Sequence, residues 1–148
     1  MIRHRLLAAL LPCLAFAGVA FSQERVYLGP RTPADTDQPP FSRAVRVGNT
    51  LYLSGNIGLT PDRKVPAEAE AEARNVLDDV KRNLAEAGMT MDDLVFVQVF
   101  CSDVAHYDAW NEVYRTYFTK EFPARAFVGA GKLLFGARFE IQAIAVKR

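Results

Sequence analysis

The sequence predicts an α/β (α+β) domain in which one mixed β-sheet carries two helices on one of its faces. Three observations point there. Residues 67–87 hold apolar side chains at three- and four-residue spacing, the period of an amphipathic helix. Residues 104–119 carry an aromatic stripe at the same spacing. Residues 94–102 and 138–146 alternate with the period of two that belongs to strands.

The first 22 residues are read as lying outside this domain. Arg3 and Arg5 form a positive start, an apolar stretch runs from Leu6 to Phe21, and small residues lead up to Gln23. That order is a secretory signal, with cleavage expected after Ser22 and a periplasmic or secreted product. A retained membrane anchor is the alternative, against which stand the shortness of the run and its interruption by Pro12. Pro12 also makes Cys13 a poor lipidation site. Residues 23–148 then form one ordinary domain, large enough for a core and too small for two. The chain carries a net charge of +1, of which the signal holds two arginines and no acid, so the domain is +1 − 2 = −1. With no basic run left, the footprint of a nucleic-acid binder is missing. Only Cys101 and His106 survive the cut, which excludes an intrachain disulfide and a four-ligand structural zinc site.

The elements follow in order. Gly29 to Pro40 holds Pro30, Pro33, Pro39 and Pro40, and reads as an extended surface loop. Ala44–Val47 and Thr50–Ser54 flank Gly48-Asn49, a two-residue hairpin signal. Gly55–Pro66 is expected to be loop. Ala67–Ala87 is the first helix, buried through Ala73, Val76, Leu77, Val80 and Leu84, with Gly88 as a left-handed C-terminal cap. Leu94–Ser102 is a strand with Val95, Val97, Val99 and Cys101 on one face. Its opposite face, Leu94, Phe96, Gln98 and Phe100, is also largely apolar, so the strand is expected to be central and covered on both sides. Ser102-Asp103 caps a second helix from Val104 to about Thr119, whose Tyr107, Trp110, Tyr114 and Tyr117 are expected to pack in the core or against a subunit. Strands at Ala124–Gly129 and Arg138–Val146 complete the order strand, strand, strand, helix, strand, helix, strand, strand. Two helices cover one sheet face, and the other is left apolar, which predicts an oligomer.

Few residues can carry chemistry. Arg125 stands alone in the apolar strand Ala124–Gly129. A buried Arg needs an anionic partner. Its planar fork fits a carboxylate, worth roughly 1.5–3 kcal/mol in a shielded site. A structural ion pair with Glu140 or another acid is equally open. Glu140 projects from the polar side of the last strand and is suited to proton transfer or to holding a water, if that side lines a cleft. Asn111 offers an amide inside the aromatic helix, and Ser54-Gly55 ends a strand where backbone can approach a ligand. Plain solvent exposure for Glu140 and Asn111, and a plain turn for Ser54-Gly55, are the competing readings. Cys101 reads as core and His106 as surface.

Five segments taken together resemble one family. They are Pro40-Phe41-Ser42-Arg43-Ala44-Val45, Leu51-Tyr52-Leu53-Ser54-Gly55-Asn56-Ile57, Trp110-Asn111-Glu112-Val113-Tyr114 with Tyr117-Phe118, Phe122-Pro123-Ala124-Arg125, and Phe139-Glu140-Ile141-Gln142-Ala143-Ile144-Ala145. In order and spacing they are similar to the signatures of the reactive intermediate deaminase (RidA, or YjgF) family, from about Pro40 onward.

The resemblance implies a chorismate-mutase-like fold, a homotrimer with sites in clefts between subunits, and cofactor-free hydrolysis of small reactive 2-imino acids to 2-keto acids and ammonia. Carried over by position, Arg125 binds the substrate carboxylate and Glu140 holds the attacking water. Ser54, Gly55, Asn111, Phe41 and Phe127 line the pocket. The chain departs from the family at Phe41 (commonly Tyr), Phe127 (often Cys), Gln142 (Glu) and Arg43 (usually Gln). Loss of the Tyr hydroxyl removes a hydrogen-bond partner, and Phe127 is expected to narrow or reshape the cleft. A trimer that binds small carboxylates without turnover is the alternative function. Ribonuclease activity, also attached to the family, is opposed by the charge of the domain and by the export signal. No metal, no nucleic acid and no membrane association after cleavage are expected.

Overall fold

A computed structural model describes residues 23–148, and the signal read from residues 1–22 lies outside them. The chain runs β1 (Arg25–Leu28), β2 (Ala44–Val47), β3 (Thr50–Ile57), α1 (Ala69–Glu86), β4 (Leu94–Cys101), α2 (Tyr107–Tyr114), β5 (Ala124–Gly129) and β6 (Phe139–Val146). The strands form one mixed sheet in the order β1-β2-β3-β6-β4-β5. All neighbours are antiparallel except β4 and β5, which are parallel and joined through α2. The predicted mixed sheet with two helices is the observed architecture.

The core lies between the helices and one sheet face. Leu51 and Leu53 of β3, Val97, Val99 and Cys101 of β4, and Phe139, Ile141, Ala143 and Ala145 of β6 are buried there. They meet Ala73, Val76, Leu77, Val80 and Leu84 of α1, and Trp110, Val113 and Tyr114 of α2. Each large side chain so buried contributes about 1.5–3 kcal/mol before the entropy of ordering is set against it. The opposite face holds Tyr52, Phe96, Val128 and Val146, all exposed in the single chain. Strand β4 is central, between β6 and β5, and within the single chain only one of its faces is covered.

Several local expectations are corrected. Strand β3 does not stop at Ser54 but continues to Ile57, because a bulge at Ser54-Gly55 lets the ladder with β6 resume at Asn56. A second irregularity between Leu94 and Phe96 turns Val95 outward and Leu94 inward, against the simple alternation expected of β4. Helix α1 starts at Ala69, two residues late, because the carbonyls of Pro66 and Ala67 are taken by the Arg138 guanidinium at 2.9 and 2.7 Å. The second helix is α-helical only over Tyr107–Tyr114, with single 3-10 turns at Val104–His106 and Arg115–Tyr117. Asp103 caps its entry through the Ala105 N–H at 2.9 Å, and Asp92 accepts from Thr119 N at 3.0 Å and draws the chain away at its exit. The Gly48-Asn49 hairpin and the Gly88 cap are as expected, with φ of 58° and 71° at the two glycines. His106 is half-buried rather than on the surface, edge-on to Phe139.

Candidate functional site

Strand register decides which way each candidate points. On β5, Arg125 pairs with Val97 and Phe127 with Val99, so both share the helix-side face with the core of β4. On β6, Glu140 pairs with Phe100 and Ile57, on the open face. Arg125 and Glu140 therefore lie on opposite faces of one sheet. Two cavities result.

The first, of about 200 Å³, contains Arg125 with Asn111, Tyr114, Arg115 and Phe122. The Arg125 guanidinium donates to Asn111 Oδ1 at 2.7 Å. Its carbon stands 4.6 Å from the centre of the Tyr114 ring and 5.9 Å from that of Tyr107, both within cation–π range. Among the described residues no carboxylate pairs with Arg125. The structural ion pair left open by the sequence is thus absent there, and the rest of the guanidinium fork stays available for a planar anion. The Tyr114 hydroxyl is buried with no partner, and burial pushes its pKa up to about 12 against the opposing pull of Arg125. At neutral pH it is a neutral donor. Asn111 and Tyr114 share one face of α2 because they are three residues apart. That spacing is the signal by which the Tyr114 contact was open to prediction.

The second cavity, of about 500 Å³, holds Glu140, Ser54, Gly55 and Phe41, with Arg63 and Phe135 among its other walls. The bulge at Ser54-Gly55 brings the β3 backbone against Glu140, and a Cβ added at Gly55 would fall on Glu140 Oε1. Gly55 thus admits a carboxylate of its own chain to the backbone. A polar chain backs the bulge. Ser54 Oγ donates to Ser42 O at 2.7 Å, and Asn56 Nδ2 donates to Ser54 O at 2.7 Å. Asn83 Nδ2 reaches Asn56 Oδ1 at 3.3 Å, and Arg43 donates to Asn83 Oδ1 at 2.7 Å. Arg43, a departure from the family, is thereby a brace from β2 to α1, which also pairs with Glu86 at 2.7 Å.

The start of β6, just before Glu140, is held by a pair the sequence reading missed. Glu72 on the first turn of α1 is wholly buried. It accepts from the backbone N–H of Arg138 at 2.6 Å and of Phe139 at 3.0 Å, and pairs with the Arg138 guanidinium at 2.8 Å. Spacing assigns Glu72 to the charged face of α1, and only the tertiary fold brings β6 to it.

Five expected site residues other than Phe127 and Glu140 divide between the cavities: Asn111 joins Arg125, while Ser54, Gly55 and Phe41 surround Glu140. Phe127 lines neither. Its ring is edge-on to Tyr107 at 5.0 Å and near Trp110, partly buried beneath α2. No group of three His, Cys, Asp or Glu among the described residues is placed to hold a metal ion.

The fold is a mixed sheet under two helices, with Arg125 in one cavity and Glu140 in another, as in the family that the signature segments resemble. Residues 34–147 match the family model described as Endoribonuclease L-PSP, and the chain belongs to this family, the RidA/YjgF proteins. It is 38% identical over 110 residues to mouse 2-iminobutanoate/2-iminopropanoate deaminase, covering 73% of this chain and 82% of the relative. The deaminase of the same name from Dermatophagoides farinae is 36% identical over 129 residues, covering 84% and 98%. Among solved structures, the E. coli YjgF gene product superposes with a TM-score of 0.70 at 37% identity, covering 74% of this chain and 89% of that one. E. coli TdcF with bound serine gives 0.71 at 30% identity, covering 75% and 91%.

Proposed function

We propose that this protein is an exported deaminase that hydrolyses small reactive 2-imino acids to 2-keto acids and ammonia, at sites built by two copies of the chain in a homotrimer. One observation carries the reading: Arg125 and Glu140 occupy opposite faces of one sheet, each in its own cavity, so each is half of a site. The exposed apolar face supplies the surface on which a second copy would seat. The deaminase names of its relatives support the reaction, and the serine bound to TdcF supports a small carboxylate as ligand.

The chemistry asks little of the protein. Arg125 and Asn111 of one copy grip the substrate carboxylate. Glu140 of the neighbour accepts a proton from water as its oxygen adds to the C=N carbon. That proton then passes to nitrogen to give a carbinolamine; Glu140 takes the hydroxyl proton and returns it to the amine, the C–N bond breaks, and ammonia leaves as the 2-keto acid forms. Orientation does much of the work, and a positioned acid–base group adds about a hundredfold or more.

The test mixes two variants. Arg125→Ala and Glu140→Gln should each be inactive on 2-imino acids generated by an amino-acid oxidase. Co-expressed, they should recover roughly a quarter of the sites, those in which an intact Arg125 meets a neighbour's intact Glu140. No recovery on mixing would sink the shared site, and full activity in Arg125→Ala alone would sink the reaction.

A further inference from the structure

We propose that Phe135, held in place by Arg63, forms a side-chain pocket beside Glu140 that selects 2-imino and 2-keto acids with large apolar, above all aromatic, side chains. This rests on the reading of Arg125 and Glu140 as halves of one site, and names the ligand that site prefers.

Three observations converge. The first is the lining. Away from Glu140, Ser54, Gly55 and Arg63, the cavity walls are Pro39, Phe41, Ile57, Leu134 and Phe135. Phe41, Leu134 and Phe135 are 53%, 68% and 61% exposed in the single chain, an unusual concentration of wet apolar surface around one carboxylate. At about 500 Å³ in the single chain, the cavity leaves room for a side chain beside a three-carbon imino acid after a second copy takes part of it.

The second is backbone strain. Arg63 and Phe135 are the two non-glycine residues with positive φ among the described residues, at 61° and 59°. Both line this cavity. The left-handed conformation costs a side-chain-bearing residue roughly 1–2 kcal/mol, and for a bulky one it is an outlier. The adjoining Gly136 takes a φ of 74° without that penalty, while Phe135 keeps a full ring in the same turn. Strain of this kind gathers at ligand sites, where it aims a side chain.

The third is contact. The Arg63 guanidinium carbon stands 5.5 Å from the centre of the Phe135 ring. Arg63 is itself fixed by a closed turn: Thr60 N donates to Lys64 O at 2.8 Å, Arg63 N donates to Thr60 O at 2.8 Å, and Lys64 N donates to Thr60 Oγ1 at 3.1 Å. Two segments distant in sequence thus strain toward one another across the mouth of one cavity. With Arg63 stacked on it, most of the Phe135 ring is still free to meet a ligand. Rings favour stacked or edge-on partners beyond simple burial, which is why an aromatic side chain is the preferred occupant.

The experiment is calorimetry of the full-length oligomer with phenylpyruvate and pyruvate, read as the ratio of the two affinities, with light scattering of each variant. Wild type should bind phenylpyruvate at least tenfold tighter. Phe135→Ala should bring the ratio close to one, and Arg63→Gly, which relieves the strain and removes the cation, should bring it part of the way, both with the assembly intact. Equal affinities in wild type, or an equal loss for both ligands in Phe135→Ala, would overturn the pocket alone. Dissociation of the Phe135→Ala assembly would make Phe135 a subunit contact and overturn it too. Failure of wild type to bind either acid would overturn the shared site as well.

Discussion

The guanidinium of Arg125 is clasped between the Tyr114 ring, 4.6 Å from its centre, and Asn111 Oδ1 at 2.7 Å. A flat cation held by an aromatic face and an amide presents its remaining donors in a fixed plane. Lysine cannot do this, because an ammonium is a point charge on a flexible stem. Arg125→Lys should therefore weaken 2-keto acid binding tenfold or more, consistent with loss of about 1.5–3 kcal/mol from a charge-assisted bidentate contact. Calorimetry reads the affinity, and an unchanged thermal midpoint would show that the fold is intact.

Gly55 should tolerate no side chain. A methyl there meets Glu140 Oε1, so Gly55→Ala should push the carboxylate off its position while leaving the core untouched. Turnover should fall about a hundredfold, the typical contribution of one acid–base group, with little change in melting temperature. Activity close to wild type would mean that Glu140 works from another rotamer.

Glu72 should matter for stability out of proportion to its distance from either cavity. Replacing it by Ala leaves two backbone N–H groups without their acceptor and the Arg138 guanidinium with the Pro66 and Ala67 carbonyls but no counter-charge. Breaking a buried pair from one side costs about 3–5 kcal/mol. Urea unfolding should show a loss of that size for Glu72→Ala and a smaller one for Glu72→Gln.

Tyr114 and Tyr117 should ionise late, each near pH 12, where an exposed tyrosine does so near 10.0. Burial is the first cause in both, and Asp78 adds to it at Tyr117. The folded pKa values are raised, so the stability these phenols contribute is fully present below pH 10 and is lost as pH rises through 12. Phenolate absorbance should show two late groups. Tyr114→Phe should remove one of them and blunt the alkaline loss of stability.

Much of the fold was legible because it is written in short periods. The α1 stripe, the alternation of β6 and the Gly48-Asn49 hairpin each depend on neighbours in sequence. The sequence singled out candidate site residues but not their geometry. Nothing local says that Arg125 faces α2 while Glu140 faces away from it, since that follows from the register of β5 on β4 and of β6 on β3. The bulge at Ser54-Gly55 was hidden because a bulge breaks the alternation by which strands are read. The surroundings of Phe127 and of Glu72 were hidden for one reason: they are set by neighbouring elements, and no pattern within their own segments announces them. The strain at Arg63 and Phe135 is a property of backbone angles, and neither residue is one that ordinarily signals a left-handed turn.

The position of β6 carries a consequence for how the molecule is made. It comes last in chain order, yet it lies inside the sheet between β3 and β4, joining the β1-β2-β3 half to the β4-β5 half. Until Phe139–Val146 has been synthesised, the two halves have no common ladder and α1 has no complete floor. A growing chain must then stay open until translation is nearly finished. That dependence makes any message cut short before Phe139 a source of chains that cannot complete the sheet.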